Sequence, residues 1–174
     1  METPEIRIAA FEWSPVRGWV VDGMQVCTYV GFAGNLNGYV RLPVGHPDLL
    51  LAEAAEMLPG TPFTWPDGRE GMNYERGYDY VDVDCPGGWT YGPDLEGWIG
   101  FDTNHAYDHW SPEDRLRFVR DERDRRAAEF AIVMERDFPC GSLPGDRLWT
   151  EELVERAVEK AARELAARAR VASS

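Results

Sequence analysis

The stretch of sequence best equipped for chemistry is GWIGFDTNHAYDHW, residues 97–110. It carries Asp102, His105, Asp108 and His109, and so holds two of the three histidines of the chain. Carboxylates and imidazoles at this spacing are able to bind a divalent metal ion, or to form a His–Asp pair that moves a proton. A plainer interpretation stays open, in which the acidic side chains form turns, His105 hydrogen-bonds the backbone and His109 packs within the loop.

The PGGWTYG segment, residues 86–92, is a second candidate for binding. Gly87 and Gly88 permit a tight turn whose backbone N–H groups are able to hold an anion, although most Gly-Gly pairs are only turns. Trp89 and Tyr91 fall on the same side of a short predicted strand, where they would stack on a base or another aromatic ring. Packing in the core is the alternative for such a pair.

His46, the remaining histidine, precedes Pro47 at the start of a predicted helix. There it would cap the helix, and the functional alternative is that it joins His105 in space as a further ligand. Arginines that could bind an anionic ligand also occur in the sequence, although surface ion pairs are their common role in an acidic chain. They are Arg41, Arg69 and Arg76.

The charge of the chain narrows the class of partner. Its formal net charge is −13 at pH 7, so neither duplex nucleic acid nor an anionic membrane surface is expected as a partner. No apolar run approaches the roughly 18 residues of a membrane-spanning helix, and the N-terminal segment has no signal-peptide pattern. The three cysteines lie far apart without a C-x-x-C pair, which argues against a disulfide scaffold or cysteine-bound zinc. These features predict a cytoplasmic protein.

Alternating apolar and polar residues predict a mostly antiparallel sheet between residues 5 and 102. Asp22-Gly23 is a hairpin signal within this sheet. A helix that starts at Pro47 and a Pro/Gly-rich loop over 59–77 interrupt the strands. The predicted strands cover 5–13, 18–22, 25–32, 39–43, 78–85 and 97–102.

The segment after the predicted sheet has the pattern of a long helix. Ser111 is a suitable N-cap with Pro112 at the first helical position, and the helix should run to about Arg136. Its charged middle, RDERDRR, predicts a solvent-exposed turn of helix. Apolar residues form one stripe along the helix: Leu116, Val119, Ala127, Phe130, Ala131 and Met134.

The C-terminal segment is set apart from the core in the sequence. Proline and glycine residues predict a linker over 139–149, and Thr150 then caps an amphipathic helix. The prediction is an α+β fold with a core domain over 1–138, the linker, and a C-terminal amphipathic helix over 150–174. This helix would either pack on the core or form a homo-oligomer. Its apolar face comprises Leu153, Ala157, Val158, Ala161 and Leu165.

Three blocks of the sequence resemble a family of mostly uncharacterised bacteriophage and prophage proteins. The family blocks G-Y-V-x-x-P-x-G-H-P, H-G-G-L-T-Y and W-x-G-F-D-C-A-H-x-x-D correspond here to GYVRLPVGHP, PGGWTY and WIGFDTNHAYD. The resemblance covers residues 37–122 and implies a phage setting, in the cytoplasm of a bacterial host, rather than an activity. It also favours a working site in the third block. The matched positions able to do chemistry are His46, Gly87, Gly88, Asp102, His105 and Asp108.

This chain departs from the family pattern at two places. Pro86 replaces the histidine that precedes Gly-Gly in the family, and Thr103-Asn104 replace Cys-Ala. If that histidine is an acid, base or ligand in the family, this chain is altered or inactive in that respect. The C-terminal helix lies outside the resemblance.

Three functions are consistent with these patterns. The first is a small-molecule-binding protein that sequesters a nucleotide-like host signal, with Trp89 and Tyr91 stacking on it and His105 fixing its orientation. The second is a metal-dependent phosphoester hydrolase in which Asp102, His105 and Asp108 hold a divalent metal ion, the one cofactor that the pattern leaves open. The third is a structural subunit that interacts through the C-terminal helix. Whether the chain is an enzyme stays open, and binding ranks first because the cluster matches no recognised catalytic spacing.

Overall fold

The computed structural model describes residues 5–54, 62–64, 70–72 and 81–172. Within these residues the strands are β1 (Arg17–Val21), β2 (Met24–Val30), β3 (Leu36–Arg41), β4 (Pro62–Thr64), β5 (Glu70–Met72), β6 (Trp98–Phe101), β7 (Asp108–Trp110) and β8 (Arg147–Trp149). The helices are α1 (Pro47–Ala54), α2 (Pro112–Arg117), α3 (Glu122–Asp137) and α4 (Glu151–Ala172). The largest sheet is antiparallel, with four strands in the order β1-β2-β3-β6, which confirms the predicted α+β fold.

The first hairpin forms where the sequence predicts it. β1 and β2 are joined by Asp22 and Gly23, whose φ angles are 50° and 85°. Two consecutive positive φ angles give a two-residue turn the twist that matches its flanking strands. The turn fixes the register of the ladder with Val21 opposite Met24.

Helix α4 covers one face of the large sheet. Gly38 on β3 permits the close approach, since a Cβ atom there would overlap the side chain of Val158. Leu153, which was predicted on the buried face, is instead 41% exposed. The helix packs on the core, so the stripe considered for a homo-oligomer is occupied by the chain's own sheet. Its buried residues are Val154, Val158, Ala161, Ala162, Leu165 and Ala166.

The opposite face of the sheet is covered by the N-terminal segment. The prediction of a strand over 5–13 is wrong, because these residues pair with no strand and form a turn at Ala9-Ala10. The backbone N–H of Ile8 donates instead to the hydroxyl of Tyr29 at 2.9 Å, so a side chain replaces the ladder partner. Ile8 is fully buried, which explains the apolar pattern that resembled a strand.

The predicted helix over 111–136 is divided into α2 and α3. Ser111 caps α2 as predicted, and its hydroxyl accepts the Asp114 N–H at 3.1 Å. Asp121 then begins a new helix, because its carboxylate accepts the Asp124 N–H at 2.8 Å. The predicted apolar stripe does not face the core, since Phe130 and Met134 are 67% and 42% exposed.

The segment predicted as a linker over 139–149 ends in a strand. β8 pairs with β7 in parallel, with Asp108 opposite Arg147 and Trp110 opposite Trp149. This short ladder ties the C-terminal part of the chain to the Asp/His-rich loop.

Two further predictions fall partly outside the described residues. The segment 59–77, predicted as loop, includes the antiparallel pair β4–β5, and its other residues are not described. Of the predicted strand over 78–85, the described residues 81–85 form no strand, although Val81 and Val83 are buried and alternate with exposed acidic residues. Among the helices of the described residues, none combines the length and apolar character needed to cross a bilayer.

Candidate functional site

His105 and Asp108 form a hydrogen-bonded pair at the start of β7. The Asp108 Oδ2 atom accepts the His105 backbone N–H at 3.1 Å and lies 2.8 Å from His105 Nδ1. Because a carboxylate oxygen only accepts, the shared proton belongs to Nδ1. The Asp108 side chain is 2% exposed, whereas that of His105 is 36% exposed. The buried carboxylate therefore orients a partly exposed imidazole.

The second oxygen of Asp108 is held by β8. Asp108 Oδ1 accepts the indole N–H of Trp149 at 2.7 Å, and Arg147 Nε lies 3.3 Å from the same oxygen. Both donors are adjacent to Asp108 because β7 and β8 are paired in register. Both oxygens of Asp108 therefore take part in the contacts that position His105. Arg147 and Trp149 lie in the segment predicted as a linker, and nothing in its sequence indicated that they contact Asp108.

His105 Nε2 faces Asp102, the third member of the cluster. The Asp102 Oδ2 atom lies 3.7 Å from Nε2, beyond hydrogen-bonding distance. The other oxygen, Oδ1, accepts the Asn104 backbone N–H at 3.0 Å, which fixes the carboxylate in a turn. With the proton of a neutral ring on Nδ1, Nε2 is an acceptor, and two acceptors face each other across this gap.

The Gly87-Gly88 turn lies directly against His105. A Cβ atom on Gly87 would come within 2.6 Å of His105 Cε1, and the φ angle of Gly87 is 78°. The second and third sequence blocks therefore meet in space at this contact. The Gly88 N–H donates to the Cys85 carbonyl at 3.1 Å, so it closes the turn instead of forming part of the predicted anion nest.

His46 lies between α1 and α4, where both of its ring nitrogens bond the backbone. Nδ1 accepts the Asp48 N–H at 3.2 Å, and Nε2 donates to the Leu165 carbonyl at 3.0 Å. The side chain is buried at 1% exposure. His46 is thus a helix cap, the structural role predicted for it, and neither nitrogen is left for a ligand.

Trp89 and Tyr91 belong to different clusters of the core. The N–H groups of Thr90 and Tyr91 both donate to the Gly100 carbonyl, the pattern of a β-bulge, whose extra residue shifts the alternation so that Trp89 and Tyr91 no longer share a face. Trp89 is 7% exposed, and its indole donates to the Val83 carbonyl at 2.6 Å. The prediction that the two rings share one side is wrong, and stacking of both on one ligand is not available in this arrangement.

Within the part of the chain that the structure describes, no group of three His, Cys, Asp or Glu side chains is arranged to hold a metal ion. For Asp102, His105 and Asp108 the reason is that most of the atoms able to bind a metal ion already take part in hydrogen bonds within the protein. Both oxygens of Asp108 already accept hydrogen bonds from protein donors. Of these three residues, only Asp102 Oδ2 and His105 Nε2, which lie 3.7 Å apart, are left without a hydrogen bond to a described residue.

A cleft of about 430 Å³ opens beside His105 and is called the polar cleft below. Its volume is in the range of small-molecule sites. Burial raises the pKa of Tyr39 and of Tyr91, so both phenols stay protonated at neutral pH. The described residues that line it are Phe32, Asn35, Asn37, Tyr39, Thr90, Tyr91, Asp102, Asn104 and His105.

Arg115 supports two walls of the polar cleft from behind. Its guanidinium donates to the Ala33 carbonyl at 2.8 Å and to Asn104 Oδ1 at 3.3 Å. Glu135 on α3 neutralises it at 2.7 Å, and the Arg115 side chain is 2% exposed. The sequence did not single out this residue, because an arginine in the first turns of a charged helix resembles a surface residue.

Cys85 precedes the Gly-Gly turn and is the cysteine nearest in sequence to the site. Burial, followed by the neighbouring Asp84 carboxylate, raises the pKa of its thiol to about 12. The thiolate form is therefore scarce at neutral pH, and Cys85 is unsuited to act as a nucleophile.

No known protein family, no curated protein and no solved structure matches this chain. The resemblance to phage proteins drawn from the three sequence blocks therefore stays a prediction.

Proposed function

We propose that this chain is a small-molecule-binding protein whose ligand occupies the polar cleft and places an N–H donor group between His105 and Asp102. The observation that carries this proposal is the 3.7 Å gap between His105 Nε2 and Asp102 Oδ2. With the ring neutral and its proton on Nδ1, Nε2 and Oδ2 are both acceptors, and a donor with two hydrogens would bond both. An amine, an amide NH₂ group or an amidine has that chemistry.

The charges around the polar cleft favour a neutral or cationic ligand. Among the described residues that line it, none is a lysine or an arginine. Asp102 supplies a carboxylate that no described arginine or lysine pairs with, and Arg115 behind the wall is neutralised by Glu135. A phosphate group finds no cation here, so the amino-bearing part of a nucleotide-like signal fits better than its phosphates.

Pre-organisation supports binding at this site. His105 is fixed by Asp108, and Asp102 by the Asn104 N–H. Asn35 is 1% exposed, and its side-chain N–H donates to Asn37 Oδ1 at 2.7 Å, which orders this part of the cleft wall. Groups that are already ordered lose little conformational entropy when a ligand arrives, so a few hydrogen bonds give useful affinity.

Metal-dependent hydrolysis is the weaker candidate. A metal ion between Asp102 and His105 would have two protein ligands, because the oxygens of Asp108 bond Trp149 and His105. Catalytic metal sites commonly use three protein ligands. The phage setting of the chain remains part of the proposal and rests on the three sequence blocks alone.

Binding of three probes tests the proposal: benzylamine, benzoate of similar size, and inorganic phosphate. We expect benzylamine to bind, as measured by ligand-observed NMR, and to lose about tenfold in affinity in Asp102→Asn. The variant removes the charge and offers its own amide N–H to His105 Nε2, which competes with the ligand. A charge-assisted hydrogen bond contributes roughly 1.5–3 kcal/mol, and about 1.4 kcal/mol corresponds to tenfold.

Glu113→Gln is the matched control, because it removes an equal charge from an exposed position on α2. It should bind benzylamine as the wild type does. Benzoate or phosphate binding as tightly as benzylamine would contradict the proposal, as would an equal loss in both variants.

A further inference from the structure

Helix α3 presents an apolar face to solvent beside the proposed site. Phe130, Met134 and Phe138 are 67%, 42% and 58% exposed, although soluble proteins usually bury such residues. Phe32 and Leu143, from the loops facing the helix, are 64% and 50% exposed. Together they border a second cleft of about 420 Å³, called the apolar cleft below.

The apolar cleft adjoins the polar cleft. Phe32, Asn104 and His105 line both of them, so the two cavities meet at the imidazole. A molecule that donates to His105 Nε2 in the polar cleft therefore has an apolar surface within reach on the other side of the ring. This shared boundary at His105, rather than exposure alone, indicates what occupies the apolar cleft.

The polar groups of the apolar cleft are satisfied by one another or directed away from a ligand. Arg115 is paired with Glu135 at 2.7 Å. Asp108 is held by His105 and Trp149. His109 is 7% exposed, its ring nitrogens are buried beneath the surface, and Nε2 lies 3.5 Å from Asp146 Oδ1. A ligand in this cleft meets mainly carbon, so an uncharged hydrocarbon group fits it.

We propose that the ligand of this site is an amphipathic amine, with its amino group between His105 and Asp102 and an aryl or alkyl body along α3 in the apolar cleft. This inference rests on the proposed function, because it uses the same His105 and Asp102 acceptors for the amino group. It adds the chemical class of the rest of the molecule. A cationic amino group also suits Asp102, which no described lysine or arginine neutralises.

Three probes separate the two halves of the ligand: 4-phenylbutylamine, n-butylamine and 4-phenylbutyrate. We expect 4-phenylbutylamine to bind most tightly by isothermal titration calorimetry. Each buried methylene contributes about fourfold in affinity, so n-butylamine should bind at least tenfold more weakly. The carboxylate probe should also lose at least tenfold, since its charge opposes Asp102.

Two substitutions on α3 form a matched pair for these measurements. Phe130→Ser removes an exposed ring that lines the apolar cleft, and we expect it to weaken 4-phenylbutylamine about tenfold while leaving n-butylamine unchanged. Val133→Ser changes a residue on the same helix that is 44% exposed and does not line the cleft. It should alter neither affinity. Both positions are exposed, so thermal unfolding of the variants should match the wild type.

The outcomes distinguish this inference from the proposed function. Equal affinity for both amines, sensitive to Asp102→Asn but not to Phe130→Ser, would overturn the apolar assignment and leave the proposed function intact. Amine binding that Asp102→Asn leaves unchanged, or no binding of any probe, would overturn both this inference and the proposed function. A dimer in sedimentation that Phe130→Ser dissociates, without probe binding, would show that a second copy covers this face and would also overturn the inference.

Discussion

The two ring nitrogens of His105 have different surroundings, and that difference defines the site at the scale of single residues. Nδ1 is 2.8 Å from a buried carboxylate, whereas Nε2 is 3.7 Å from a partly exposed one. The first contact fixes the tautomer and the ring plane. The second is beyond hydrogen-bonding distance and leaves Nε2 without a hydrogen-bond partner among the described residues. The site therefore depends on the orientation of the His105 ring, and that orientation depends on Gly87, which lies against the ring.

Gly87→Ala tests that dependence. Gly87 has a φ of 78°, and a Cβ atom would lie 2.8 Å from His105 Nδ1 as well as 2.6 Å from Cε1. We expect the imidazole to be displaced from Asp108, with a loss of stability of about 1–3 kcal/mol from the left-handed backbone conformation. Thermal unfolding measures the stability, and the NMR signals of the His105 ring report its displacement.

Gly88→Ala is the control for this prediction. Gly88 also has a positive φ, of 84°, but a Cβ atom there meets no atom within 4 Å. It should show the loss of stability from backbone strain without a change in the His105 ring signals. Identical ring spectra for the two variants would mean that Gly87 does not control the imidazole.

The sequence identified several of these residues from their types, and missed others for a physical reason. Asp102, His105 and Asp108 stand out because carboxylates and imidazoles close in sequence are uncommon. Arg115 does not stand out, because its burial depends on partners far along the chain, Glu135 and the Ala33 carbonyl. Residue type alone does not reveal which arginine will be neutralised and buried.

At the scale of secondary structure elements, β8 makes the largest unexpected contribution. It is three residues long and lies in a segment of prolines and glycines, so its sequence has no period to detect. It pairs in parallel with a strand that begins 39 positions earlier, at Asp108. Such a long-range contact is not encoded in either segment alone.

Trp149→Phe tests whether β8 positions the site. The variant keeps a large aromatic ring but removes the indole N–H that Asp108 Oδ1 accepts at 2.7 Å. We expect a loss of stability of about 1–3 kcal/mol, because a buried carboxylate oxygen loses a donor. Weaker binding of benzylamine should accompany it, since Asp108 orients His105. Chemical denaturation and ligand-observed NMR measure the two effects.

Trp13→Phe is the control for the loss of an indole in general, because Trp13 is 43% exposed and contacts Arg120 at the surface. It should leave both stability and binding nearly unchanged. A stable Trp149→Phe variant with unaltered binding would show that Arg147 is sufficient to hold Asp108 Oδ1 without the indole.

Elements also show where periodicity misleads. Of the apolar stripe predicted along one helix, only the part from Ala127 to Met134 lies on α3, and there Phe130 and Met134 face solvent. Periodicity locates an apolar face but does not say what covers it. Likewise, alternation placed Trp89 and Tyr91 on one side, and a bulge at Thr90 and Tyr91, opposite Gly100, separates them. Both departures lie at the candidate site, where local rules are most often broken.

At the scale of the whole molecule, the two ends of the described chain cover the two faces of the large sheet. The N-terminal segment buries Ile8 on one face, and α4 buries Leu165 on the other. Polar contacts strengthen the second interface, since Arg168 on α4 pairs with the fully buried Asp48 on α1 at 2.7 Å. The hydrogen bond to Asp48 also raises the pKa of Arg168, which keeps the guanidinium charged. α4 is therefore part of the core and not an appended arm.

Leu165→Ala tests this view against the interaction-subunit hypothesis. Leu165 is fully buried, so the cavity should cost about 2–5 kcal/mol of unfolding free energy, measured by chemical denaturation. Leu153→Ala, at a position 41% exposed on the same helix, should change it by about 0.5 kcal/mol or less. An oligomerisation helix would behave differently, because the apparent stability would rise with protein concentration. A concentration-dependent midpoint that Leu165→Ala abolishes would thus assign the α4 face to a second copy instead of to this sheet.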